Sequence, residues 1–244
     1  MSPGFRQGKT AAFIRKKVSR DLTDRTIRHE VGSDQIAYYR VRAPWYDDVY
    51  TCSGDYDRGP EVNARWLADL AEIEQALLAS SLGGNCVELG AGTGYWSARV
   101  VEHVEHLWAL DAVAEVLDIA RGRLRPYRDK VTFDVVDLWR WRPTRVWDCA
   151  LACFFFEHVP DEVFGELLTT LHDALRPGGT VFVAEGAAHS AEPQIEMRRV
   201  LDSVFHVVER RRTDEEFRHA FEAAGFALQG AAGNRLVHLV ATRQ

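Results

Sequence analysis

Gly90, Gly92 and Gly94 follow directly on the apolar run Cys86-Val87-Glu88-Leu89, and no other segment narrows the range of folds as far. Without side chains at three alternate positions, the backbone can turn sharply and bring its N–H groups close to a ligand. The stretch from Asn85 to Ser97 therefore predicts a buried strand, a glycine turn and the start of a helix. Its spacing is G-x-G-x-G, which differs from the G-x-G-x-x-G that lays a dinucleotide pyrophosphate on a helix N-terminus.

The flanking sequence extends this unit into a rhythm. Val62, Trp66, Leu67, Leu70, Ile73, Leu77 and Leu78 recur at helical spacing and predict a helix over 60–78 leading to Gly83-Gly84. After strand 86–89 come helix 94–104, strand 107–111, helix 114–125, strands 131–136 and 147–153, helix 160–175 and strand 180–185. Such alternation is the signature of an α/β fold with a mostly parallel sheet and helices on both faces. A last unit of helix 214–224 and strands 226–232 and 235–242 is joined at Gly233-Asn234, which predicts a tight antiparallel hairpin.

Two acidic residues mark the ligand. Glu88, two residues before Gly90, repels phosphate but suits a cationic ligand, and Asp111 closes the run Leu107-Trp108-Ala109-Leu110 where such folds place a carboxylate for ribose hydroxyls. The segment V-E-L-G-A-G-T-G with Asp111 after it resembles the first two motifs of the class I S-adenosyl-L-methionine (SAM)-dependent methyltransferases, of the small-molecule type. The resemblance implies a Rossmann-like seven-stranded sheet whose antiparallel last strand inserts beside the fifth, an N-terminal helical cap over about 33–80, and SAM as cofactor with S-adenosyl-L-homocysteine (SAH) as product. It implies cofactor contacts from Glu88, Gly90, Gly92, Gly94, Asp111 and Ala112, from Asp137 and Leu138 after the third strand, and from Phe154 after the fourth. Asp137 would accept from the adenine amino group, with a cap on the following turn as the competing use of an Asx residue there.

The same resemblance extends to Tyr38-Tyr39-Arg40-Val41-Arg42-Ala43-Pro44-Trp45-Tyr46-Asp47, similar to a Y-Y-x-x-R-A-x-x-Y-D lead-in that caps the cofactor. It makes Tyr46 a cofactor lid and Tyr38 a substrate contact; plain packing of these rings onto the domain is the competing reading. Phe154-Phe155-Phe156-Glu157-His158-Val159 resembles the family's F-x-x-E-H-V segment, with Phe155 toward the substrate and His158 facing the reaction pocket. His158 is the candidate general base, since a neutral imidazole titrates near working pH, or else it orients the helix that follows Pro160. Glu185, His189, Arg198, Arg199 and His206 lie where substrate-binding insertions of such enzymes occur, and His189 is the substrate contact among them.

Composition limits the remaining options. With 244 residues, 46% hydrophobic and 27% charged, the chain suits one domain, 33–244, behind a basic N-terminal extension, 1–32. That extension carries Phe13, Ile14, Val18 and Leu22 at helical spacing, so it reads either as a solvated tail or as a helix that packs a homo-oligomer. A net charge of -6 argues against a nucleic-acid partner, and no apolar run reaches the length of a membrane span. Four cysteines without C-x-x-C spacing and the absence of a signal-like h-region lead to a cytoplasmic expectation. His103 and His106 lack a third ligand at a supporting spacing, so no metal is expected.

The expected reaction is direct displacement of a methyl group from SAM onto a small organic acceptor, aromatic or apolar in character and natural-product-like, in secondary metabolism. Methylation of that kind needs alignment of the nucleophile and exclusion of water more than it needs covalent catalysis. The alternatives are a catalytically silent SAM-binding regulatory module and, weakened by Glu88 and the glycine spacing, an NAD-dependent oxidoreductase.

Overall fold

A computed structural model describes residues 31–80, 82–186, 195–229 and 236–244. Strand β1 (Asn85–Leu89) pairs in parallel with β2 (His106–Asp111) on one side and β4 (Trp147–Cys153) on the other. β3 (Val131–Val135) extends one edge and β5 (Leu175–Gly186) continues the other, also in parallel. β9 (Leu236–Arg243) runs antiparallel between β5 and β8 (Phe226–Gln229), giving seven strands in the order β3-β2-β1-β4-β5-β9-β8. The expected insertion of the last strand beside the fifth is present; the Gly233-Asn234 turn itself lies outside the described residues.

Alternation along the strands divides the core. In β4, Trp147, Ala150 and Ala152 face one layer while Cys149, Leu151 and Cys153 face the other. The first layer is closed by α6 (Asp161–Asp173) and α7 (Asp214–Ala223), through Leu167, Leu168, Phe217 and Phe221. The second is closed by α3 (Pro60–Ala79) and α5 (Ala114–Arg123), through Leu70, Ile73, Leu77 and Leu117. Strands buried on both faces read as near-continuous apolar runs, which is why the sequence pattern exposed them so clearly.

Three elements differ from expectation. The predicted helix 94–104 contracts to α4 (Ser97–Val100), because Arg99 N donates to Trp96 O and His103 N to Val100 O, so both ends wind as tight turns. β5 begins at Leu175 and absorbs Pro177-Gly178-Gly179 as an irregularity, its register shifting between Trp147 and Cys149 of the partner strand. The segment after β5 forms a separate hairpin, β6 (Ile195–Val200) and β7 (Ser203–Val208), where no strand was expected. It packs on α1 (Gly32–Arg42), with Val200 and Val207 buried against Tyr38, while Asp34 accepts from the N–H and Nδ1 of His206. A short helix α2 (Asp48–Thr51) completes the cap. The basic extension over residues 1–30, including the segment expected to pack an oligomer, lies outside the described residues.

Candidate functional site

The carboxyl ends of β1, β2, β3 and β4 open toward the cap, as open α/β sheets do where they bind ligands. There two cavities adjoin. The first is lined by Gly90, Asp111, Ala112, Val113, Asp137, Leu138, Trp139, Phe154 and Phe155, and roofed by Gln35, Ile36 and Tyr39 of α1. The second lies between α1, the cap and the β6–β7 hairpin, with Arg42, Arg58, Glu157, Arg198, Glu209 and Arg211 among its walls. Tyr39, Tyr46, Phe154 and His158 belong to both and form the partition.

In the first cavity, Asp111 accepts from Gly92 N and Val113 N at 2.9 Å each. Burial pushes its carboxyl up to about 6, although these backbone donors pull the other way. Asp137 Oδ1 caps the next turn by accepting from Trp139 N, so the cap role of that residue is realised while it also lines the cavity. Trp139 walls the cavity; Trp141 is core.

The glycine turn works partly through its neighbours. All three glycines have positive φ, and Gly90 alone of them lines the cavity. A Cβ on Gly90 would come within 2.6 Å of the Phe155 ring, and one on Gly92 within 3.2 Å of Tyr46. Gly94 faces Ala120 of α5. Glycine at 92 thus admits the Tyr46 ring onto the turn, and glycine at 94 admits Ala120 of α5.

Glu88 departs furthest from expectation. It lies 2% exposed, lines neither cavity and accepts from the Ser97 hydroxyl, with burial pushing its carboxyl up to about 8. Tied to the start of α4 and away from both cavities, it braces the turn from behind.

The cap is fastened to this turn by Asp47 of the lead-in motif, Thr93 of the glycine turn and Arg123, which no motif marked. Asp47 accepts from the Thr93 hydroxyl and from Arg123, whose other nitrogen donates to Thr93 O at 2.8 Å. Tyr50 stacks on Tyr95 with ring centroids 3.8 Å apart. Tyr46, one residue from Asp47, is thereby held over Gly92.

At the partition, His158 Nδ1 donates to Val208 O at 3.0 Å, leaving Nε2 to accept from the Tyr39 hydroxyl at 2.8 Å. Gln35 ties the same corner, donating to His158 O and accepting from Val208 N. His158 thus lines both cavities with its Nε2 engaged by Tyr39, a residue that the spacing of Tyr38 and Tyr39 did not single out. Burial raises the Tyr39 phenol well above its usual range, so the hydroxyl stays protonated in the resting protein.

Phe154 adopts φ 54, rare for a residue with a side chain, and this brings its ring to both cavities. Glu185, fully inside the protein, fixes the bend by accepting from Phe155 N at 2.9 Å and Phe156 N at 2.6 Å. Phe155, the expected substrate contact, lines the first cavity and not the second, and Phe156 is core. Tyr38 does reach the second cavity, as does Arg198; His206 is spent on Asp34, and His189 lies outside the described residues. The second cavity sets tyrosines, four arginines and two glutamates beside Val49, Trp66, Phe154, Val207 and Leu236.

Among the described residues, no helix is long and apolar enough to cross a membrane, and no group of three or more His, Cys, Asp or Glu is placed to hold a metal ion.

Comparison with known proteins follows the same lines. A family model described as a methyltransferase domain matches residues 59–230. The fold is similar to that of DhpI in a complex with SAH, with TM-score 0.74 and 26% identity, covering 87% of this chain and 97% of that one. In a DhpI-SAM-HEP complex the values are 0.73 and 27%, covering 88% and 99%. The Burkholderia thailandensis 1,6-didemethyltoxoflavin-N1-methyltransferase, solved with 1,6-didemethyltoxoflavin and SAH, shares the fold at TM-score 0.69 and 17% identity, with 96% and 97% covered. A protein-L-isoaspartate O-methyltransferase of Idiomarina loihiensis is 25% identical over 122 residues, 49% of this chain, and the match spans about half of that protein's length, 54%.

Proposed function

This chain belongs to the SAM-dependent methyltransferases of the class I fold, with SAM as its cofactor, and on that premise we propose that it methylates a small organic molecule seated in the second cavity. The observation that carries the reading is the partition: four side chains shared by two adjoining cavities, one at the motif-bearing strand ends and one under the cap. The complexes of DhpI with SAM and HEP and of the toxoflavin enzyme with its small substrate support a small acceptor.

Bound SAM supplies a methyl group on a sulfonium that is already a good leaving group. The residues for holding it are Asp111, whose carboxylate suits a ribose diol, Asp137 and Leu138 for the adenine, and Tyr46 and Phe154 at the partition. The protein's work is then alignment and exclusion of water. Where the acceptor atom carries a proton, Tyr39 is placed to take it while passing its own to His158 Nε2. The Val208 carbonyl on Nδ1 orients the ring and stabilises the resulting imidazolium.

Incubating the protein with methyl-labelled SAM and a cell extract, then separating small metabolites from protein, RNA and DNA, tests this. Label in the small-metabolite fraction is expected. Label confined to the macromolecules would overturn the small-acceptor reading.

A further inference from the structure

The second cavity carries more positive than negative charge. Four arginines, Arg42, Arg58, Arg198 and Arg211, line it against two carboxylates, Glu157 and Glu209. The carboxylates are already engaged with two of the four. Arg198 Nη2 lies 2.9 Å from Glu209, and Arg211 bonds Glu209 at 3.2 Å and approaches Glu157 at 3.5 Å. Burial raises Glu157, which further reduces the negative charge it brings. Arg42 and Arg58 have no carboxylate partner among the described residues.

Arg42 is also held in place. Its guanidinium donates to the Tyr56 hydroxyl at 2.6 Å and lies 5.2–5.9 Å from the ring centroids of Tyr38, Tyr46 and Tyr56. A guanidinium has five N–H donors in a fixed fork, and one bond to Tyr56 leaves most of them for a ligand. A confined, pre-oriented cation with no acid beside it is what bidentate recognition of a carboxylate or a phosphoryl group requires. The tyrosines around it offer hydroxyl donors and ring faces to the remainder of a small ligand.

From these observations, and resting on the reading of this cavity as the acceptor site, we propose that the acceptor carries an anionic oxyacid group, carboxylate, phosphoryl or phosphonyl, held by Arg42 and Arg58. This adds an anionic group to the aromatic or apolar acceptor expected from the sequence, whose remainder would meet Trp66, Phe154 and Val207. It also makes the electrostatics of the two cavities complementary, because an anion beside the partition faces a cationic sulfonium across it.

The test is calorimetric titration of the SAH-saturated full chain with phenylphosphonate, benzoate and uncharged benzamide. At least one acid is expected to bind about tenfold or more tightly than benzamide, the scale of a charge-assisted pair, and the stronger of the two acids identifies the oxyacid. That advantage should vanish in Arg42→Met and shrink in Arg58→Met, with SAH affinity retained in both as the check on folding. Benzamide binding as well as both acids, or undiminished acid binding in Arg42→Met, would overturn the proposal. So would weakened SAH binding in Arg42→Met with the acids unaffected, since the guanidinium would then serve the carboxylate of SAH. Failure of the unaltered protein to bind SAH would overturn the cofactor-site reading itself, and this proposal with it.

Discussion

The two cavities meet at one partition but are built differently. Beneath a roof from α1 and Tyr46, the first is made by loops that leave consecutive parallel strands, so its floor comes in short local sets: Gly90, then Asp111 to Val113, then Asp137 to Trp139, then Phe154 and Phe155. The second collects single residues from α1, the cap, the β6–β7 hairpin and the start of β9, from Tyr38 to Leu236. A site built by strand ends inherits its geometry from the sheet and serves one ligand. A site assembled from a cap and a hairpin can change its acceptor without disturbing the sheet.

If that division is right, the largest effect belongs to the turn. Gly90→Val adds a side chain at φ +70 with its first atom 2.6 Å from Phe155. Strain of about 1–3 kcal/mol plus the clash should abolish SAH binding by calorimetry and lower the melting temperature. Retained binding would mean that Phe155 yields freely and the strand-end site is softer than described.

Next come the partition residues. Tyr39→Phe and His158→Ala should each lower kcat by ~10²–10⁴ if they move a proton together, with the double variant no slower than the worse single one and SAH affinity unchanged. Additive losses would show two separate roles, and unchanged kcat would leave alignment by other residues to explain the catalysis.

Asp111→Ala should weaken SAH binding by roughly 1.5–3 kcal/mol, the scale for a hydrogen bond to a charged group. The carboxylate form is the acceptor, so affinity in the unaltered protein should fall as pH drops through about 6, and Asp111→Asn should remove that dependence. A pH-independent titration would place the ribose elsewhere.

The smallest effect expected is at Glu88. In the unfolded chain its carboxyl ionises in the ordinary range, whereas in the fold it holds its proton to about 8. Between these values the folded state binds the extra proton, so this residue's contribution to stability declines as pH rises. Glu88→Gln should leave SAH affinity nearly unchanged and flatten the decline in a denaturation series. A large loss of SAH binding would return Glu88 to the cofactor.

These contrasts also explain what could be read in advance. The alternation of strands and helices was legible because buried parallel strands and their helices have local periodicity, whereas the inserted last strand was implied only by the family resemblance. Asp111, Ala112, Asp137, Leu138 and Phe154 line one cavity because they follow strand ends at short spacing. Glu88 was misread because position alone does not reveal that its side chain points into the core toward Ser97. The hairpin was missed because Ile195 to Val208 mixes charged and apolar residues, and its partner, Tyr38 on α1, is remote in sequence. Arg123 gave no signal, because its partner Asp47, the Asp of the lead-in motif, lies 76 residues away. Tyr39 was overlooked beside Tyr38 since only tertiary packing shows which of two adjacent rings meets His158.

A crystal structure of the SAH complex tests the central division most directly. The adenosine should lie in the first cavity with its ribose on Asp111 and its adenine beside Asp137 and Leu138, the sulfur at the partition of Tyr46 and Phe154, and the cavity lined by Arg42, Arg58 and Arg211 left to the acceptor. Adenosine seated among those arginines instead would contradict it.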